Sequence, residues 1–107
     1  MNRRLLQGIA LLALACAVFV LFLPATRADD TAALYKAKCA MCHKADGSGN
    51  TAMKVPDFKS PDIAKKTDKE LIESTTNGKG KMTPFKGKLT DAQIKDLIAY
   101  VRELAKK

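Results

Sequence analysis

The sequence predicts an all-α domain of about four helices joined by two long irregular loops. Three observations carry that reading. Two capping boxes, Thr67 with Glu70 and Thr90 with Gln93, each open a segment with apolar residues at helical spacing. No run alternates apolar and polar residues over the length of a strand. Beyond the first 30 residues, glycine and proline gather in two stretches, 47–61 and 78–87, and leave the periodic segments unbroken.

The first helix is expected through "TAALYKAK", capped by Asp30 or Thr31 and running into the cysteines. Ala33, Leu34, Tyr35 and Ala37 supply its packing faces. "HKADGSGNT" then reads as a loop, and "MKVPDFKSPD", with two prolines, as extended or turning chain. Ser60 before Pro61 is an N-cap followed by proline at the first helical position, which predicts a short helix through Ile63 and Ala64. The Thr67 box starts the next helix, with Leu71 and Ile72 as its apolar surface. Gly78 after Asn77 stops it. "GKGKMTPFKGK" is loop again. The Thr90 box starts the last helix, where Ile94, Leu97, Ile98, Val101 and Leu104 form one stripe. Lys106 and Lys107 suit the negative end of its dipole. There is no internal repeat.

Ahead of this domain the chain reads "MNRRLLQGIALLALACAVFVLFLPATRADD". Arg3 and Arg4 form a positive start, an apolar run extends to Leu23, and Thr26-Arg27-Ala28 places small residues before a cleavage point. This is the pattern of a secretory signal peptide over residues 1–28, with the domain at 29–107. The alternative is a retained membrane anchor, because the run approaches the roughly 20 residues that span a bilayer. Both readings place the domain outside the cytoplasm. Ala13-Leu14-Ala15 is a poor acylation box for Cys16, and the apolar run continues past it, so Cys16 belongs to the leader.

Cleavage after Ala28 removes three arginines and no acid, so the net charge of +8 becomes +5. The remaining core is small. Domains of this size draw only about 3–5 kcal/mol from apolar burial and need a further staple. Export makes a disulfide the usual one. Here the domain has only Cys39 and Cys42, and a bridge between them ties no distant parts together.

Those cysteines stand in "CAMCH", followed at once by His43, the only histidine. Cys-x-x-Cys-His reads as a c-type haem attachment site. On one helical turn, two thiols three apart can add to the two vinyl groups of a haem, and the next residue can ligate its iron. The macrocycle then fills the core, and the loops with Met53, Val55, Phe58, Met82 and Phe85 have a large apolar object to wrap. A thioredoxin-type pair expects a βαβ context that is missing. Structural zinc wants four ligands, and there is no second cluster. A plain disulfide leaves His43 unused.

With one histidine, a two-histidine iron site within the chain is excluded. Methionine is the usual other ligand in electron-carrying c-type haem proteins. Met1 is in the leader, and Met41 lies between the two cysteines. Met53 follows His43 too closely to reach the opposite face easily. Met82 lies in "GKMTPF", shaped by Gly78, Gly80 and Pro84, and is the expected ligand; Met53, a lysine and an open position are the alternatives.

From Thr31 to Ala105 the chain resembles the class I c-type cytochromes, small monohaem electron carriers. The resemblance rests on "LYKAKCAMCH", "VPDF" and "GKMTPFKGKLTDAQIKDLIAYV", in that order. It implies the class I cytochrome c fold, with about four helices around one covalently bound haem c and its iron. It implies thioethers at Cys39 and Cys42, axial ligation by His43 and Met82, and a Pro56 carbonyl that accepts the other imidazole N–H. It also implies an aromatic pair, Tyr35 and Tyr100, where the first and last helices cross. At that crossing the family often has glycine eight positions before the first cysteine; here the residue is Thr31. The expected function is one-electron transfer between redox partner proteins by a monomer that is not an enzyme.

Lys44, Lys54, Lys79, Lys81, Lys86 and Lys88 lie along the two loops expected to frame the haem edge. They read either as a solvated surface or as a positive ring that steers acidic partners. Export and the lack of a base-reading motif argue against nucleic acid. Membrane contact is expected only if the leader is retained.

Overall fold

The computed structural model describes residues 26–107. They form five helices: α1 (Arg27–Lys38), α2 (Ala40–His43), α3 (Pro61–Ala64), α4 (Asp68–Asn77) and α5 (Asp91–Lys106). Among the described residues there is no strand, only isolated bridges that close loops. Most of the predicted leader lies outside the described residues. No described helix is long and apolar enough to cross a membrane.

Two expectations about the first helix need correction. Its N-cap is Thr26, whose hydroxyl accepts from the Asp29 amide, so Asp29 and Asp30 fall in the first turn. There their carboxylates oppose the positive end of the dipole. The helix also does not run unbroken through the cysteines. Cys39 sits at φ −118°, ψ −37°, outside regular helical geometry, and separates α1 from the single turn of α2. This split turns the expected four helices into five.

The other boundaries follow the local chemistry. Thr67 and Glu70 form a complete capping box at α4, as do Thr90 and Gln93 at α5. Pro61 occupies the first turn of α3, but the hydroxyl of its N-cap Ser60 makes no capping bond. Arg102 on α5 secures this region instead. Its guanidinium meets the Asp68 carboxylate and donates to the carbonyls of Ile63 and Lys66. The end of α3 and the turn after it are thereby tied to a neighbouring helix; the Ile63 carbonyl also accepts from the Lys66 amide at 3.1 Å.

Helix α5 is the spine. It packs against α1 on one side and α4 on another. Its predicted stripe is buried throughout: Ile94, Leu97, Ile98, Val101 and Leu104. Tyr35 of α1 joins Leu97, Val101 and Leu104 in one cluster, and Tyr100 lies 5.0 Å from the Tyr35 ring, tilted by 44°. Leu97 is 2% exposed. Replacing it with alanine is expected to lower stability by about 2–5 kcal/mol, measured as a shift in the denaturant midpoint at unchanged slope; a loss near zero would remove this cluster from the core.

Candidate haem site

The attachment motif is built at the junction of α1 and α2. The Cys39 carbonyl accepts from the amides of Cys42 at 3.2 Å and His43 at 3.0 Å, which closes one turn. Both thiols on that turn are half-buried and unbridged. Burial pushes the Cys39 thiol above its ordinary value, so it is held neutral. The His43 ring stacks on Phe58, with centroids 4.8 Å apart and planes 23° from parallel. Its burial lowers the imidazole pKa, because charging the ring would cost hydration. Nδ1 of His43 is buried and has no hydrogen-bond partner.

The chain after His43 turns back on itself. Lys44 takes φ 65°, ψ 162°, and its carbonyl accepts from the Tyr35 hydroxyl at 2.7 Å and the Gly47 amide at 3.1 Å. The Gly49 amide donates to the His43 carbonyl at 3.0 Å, and the Phe58 amide to the Gly47 carbonyl at 3.0 Å. Gly47 is required on two counts. Its φ is +76°, and a Cβ there would lie 2.5 Å from Cδ2 of Phe58. The missing side chain gives the Phe58 ring its place against His43. Burial, with the nearby Cys39 thiol a lesser cause, pushes the Tyr35 hydroxyl up to about 12, so it remains a proton donor.

The Pro56 carbonyl is expected to accept from the His43 imidazole; in this structure His43 Nδ1 has no hydrogen-bond partner. The Pro56 oxygen lies over Gly49, 2.5 Å from where a Cβ would be, and the His43 ring is stacked on Phe58. Met82 is held on the second loop, half-buried. Its amide donates to the Lys79 carbonyl, while the Phe85 and Lys86 amides bond to the carbonyls of Thr75 and Thr76, each at 3.0 Å. Gly78 admits the Met82 carbonyl so closely that a Cβ would sit 2.8 Å from it. Met41 is 91% exposed and Met53 45%.

The structure thus groups Cys39, Cys42 and His43 on one turn and mounts Met82 separately, on the loop that follows α4. Sequence reasoning marked Phe58 only as a loop apolar residue. Its signal was the aromatic two places after Pro56, on the chain that returns past the glycines. The residues present fit a covalently attached haem: the thiols and the imidazole share a turn, and burial favours the neutral imidazole, the form that ligates a metal. Among the described residues no group of three His, Cys, Asp or Glu side chains could hold a metal unaided.

Comparison with known proteins agrees. Residues 26–101 match the family described as cytochrome c oxidase, cbb3-type, subunit III. Cytochrome c6 of Thermostichus vulcanus is 35% identical over 105 residues, covering 92% of each chain. Cytochrome c6 of Nostoc sp. strain PCC 7120 is 36% identical over 99 residues, covering 88% of this chain and 87% of that one. Among solved structures, the KustC0563 c-type cytochrome superposes with a TM-score of 0.64 at 32% identity, over 69% of this chain and 95% of its own. The chain belongs to the class I c-type cytochromes. Its cofactor is haem c with iron, and its function is that of an electron carrier working through that haem. The all-α cytochrome c fold expected from the sequence is the fold found.

Gly47→Ala should force this cytochrome to move either its backbone or the Phe58 ring. The left-handed backbone alone costs a non-glycine residue about 1–2 kcal/mol. A lowered unfolding midpoint is expected, together with changed haem-proton shifts near His43; unaltered stability would show that Phe58 does not rely on this opening.

Proposed function

We propose that this cytochrome passes single electrons between protein partners outside the cytoplasm, with thioethers at Cys39 and Cys42 and axial ligands at His43 and Met82. The observation that supports the reading best is the single turn carrying Cys39, Cys42 and His43, its imidazole stacked on Phe58. The haem supplies the one-electron chemistry between ferric and ferrous iron. Cys39 and Cys42 keep it from leaving a domain too small to enclose it fully. His43 and Met82 would hold its iron, and the soft, neutral thioether of Met82 would favour the reduced state and raise the potential. With His43 and Met82 both committed to the iron, no position on it would be left for a substrate, and the protein is a carrier and not an enzyme.

Residues 1–28 act as an export leader in this reading, and the mature protein is a monomer. Ala28 lies in the first turn of α1. Cleavage after it removes the Thr26 cap and the ion pair of Arg27 with Asp96, and leaves Asp29 and Asp30 to open the helix. A retained leader would tether the same domain to a membrane. All six loop lysines are exposed: Lys44, Lys54, Lys79, Lys81, Lys86 and Lys88. They form the surface that meets acidic redox partners, and they speed encounter more than they strengthen the complex.

Expression in a host that exports and attaches haem is expected to yield the mass of residues 29–107 plus one haem. A mass equal to the bare polypeptide would end the proposal. Met82→Ala should abolish the weak far-red absorbance of thioether-ligated ferric haem and admit carbon monoxide to the ferrous protein. It should also lower the reduction potential, within the roughly 0.8 V range that axial ligands cover. Unchanged spectra would move the sixth ligand elsewhere.

Electron exchange with an acidic redox protein should slow as salt rises past the ionic strength where the Debye length is about 8 Å. Changing Lys79 and Lys81 to glutamate should slow it at low salt. Rates indifferent to both would reduce the lysines to a solvated surface.

A further inference from the structure

We infer that Tyr35 is a positioning residue for the iron ligand: its hydroxyl clamps the Lys44 carbonyl, holds the residue after His43 in a left-handed conformation, and so fixes how the imidazole is presented. The inference rests on the proposed ligation of iron by His43. Lys44 stands at φ 65°, ψ 162°, a region that essentially only glycine occupies. A lysine remains there only if its surroundings hold it. The Lys44 amide is tied to the Ala40 carbonyl at 2.8 Å, within the attachment turn. The Lys44 carbonyl accepts from Tyr35 at 2.7 Å and from Gly47 at 3.1 Å, which occupies both of its lone pairs.

Tyr35 is a rigid anchor. It is 2% exposed, 5.0 Å from the Tyr100 ring and edge-on to Phe58 at 6.5 Å. Phenylalanine would fill the same space without a hydroxyl to satisfy. A hydroxyl buried this deeply is unfavourable unless bonded, and the partner it has found is the backbone beside His43. The linkage continues from Lys44 through the Gly47 amide to the Gly47 carbonyl, which holds the Phe58 amide, and Phe58 stacks on His43. One hydroxyl therefore governs both the chain leaving the imidazole and the ring that faces it.

The test uses the haem-loaded protein. In ferric low-spin haem, the paramagnetic shifts of the haem methyl protons follow the orientation of the axial ligand planes. Tyr35→Phe is expected to change their pattern well below the unfolding temperature and to lower the folding equilibrium constant about fivefold, the effect of one hydrogen bond. Lys44→Gly alone should keep the parental pattern and raise stability, because the left-handed geometry suits glycine. In the double variant, glycine should restore the pattern that Tyr35→Phe disturbed. An unchanged pattern in Tyr35→Phe, or no restoration by glycine, would overturn the inference. Should Tyr35→Phe not be recoverable, Lys44→Gly decides: a loss of stability would show that no strain is held at this position. Intact mass and visible absorbance of each variant report haem attachment and ligation independently, so failure of the ligand assignment is distinguishable from failure of the Tyr35 role.

Discussion

The crossing of α1 over α5 is the constraint from which the rest of the molecule takes its position. Tyr35 enters a buried cluster with Leu97, Val101 and Leu104, and around that cluster pack Leu34, Cys39, Ala40, Phe58, Leu89 and Tyr100. Cys39 and Ala40 begin the attachment turn, and Phe58 faces its histidine. The turn is therefore part of the rim of the core and not an appendage to it. Anything that shifts the crossing shifts the proposed anchors and iron ligand with it. A packed interior transmits such displacements because it has few voids to absorb them.

The second loop is secured by different means. The last carbonyls of a helix lack partners within the helix, and α4 gives those of Thr75 and Thr76 to the amides of Phe85 and Lys86. Thr75 is itself buried, its hydroxyl bonded back to the Leu71 carbonyl at 2.8 Å. The segment carrying Met82 is thus pinned at both ends by backbone, at Lys79 and at Phe85, through bonds that do not involve its side chain. That separation suits a proposed ligand whose side chain must answer to a metal and not to its own loop.

Much of this was legible in the sequence because the signals were local. The two capping boxes and the five-residue stripe of α5 depend on contacts within three or four residues, and each appeared where it was expected. The donor set of the attachment turn was equally plain, since its meaning lies in spacing. What stayed hidden were relations between segments far apart in the chain. The break at Cys39 is a backbone conformation that no residue type there demands. The contact of Phe58 with His43 depends on an opening at Gly47. The position of the Pro56 carbonyl, over Gly49, depends on how the first loop folds back on itself. The Arg102 bridge to Ile63 and Lys66 joins residues more than thirty apart.

Thr31 shows how a departure from the family pattern can be accommodated. A β-branched residue replaces the glycine often found at the helix crossing, yet it is 9% exposed and α1 still packs on α5. Its hydroxyl donates to the Arg27 carbonyl one turn back, at 2.9 Å, so the polar atom is satisfied within its own helix and makes no demand on α5. On the proposed cleavage after Ala28 that carbonyl leaves with the leader, and Thr31 becomes the third residue of the mature chain. Water at the new terminus can then take the place of the carbonyl, while the deeper contacts from Tyr35 onward hold the helix to α5. The crossing therefore tolerates threonine at its open end more readily than it would one turn further in, where Tyr35 fills the interior.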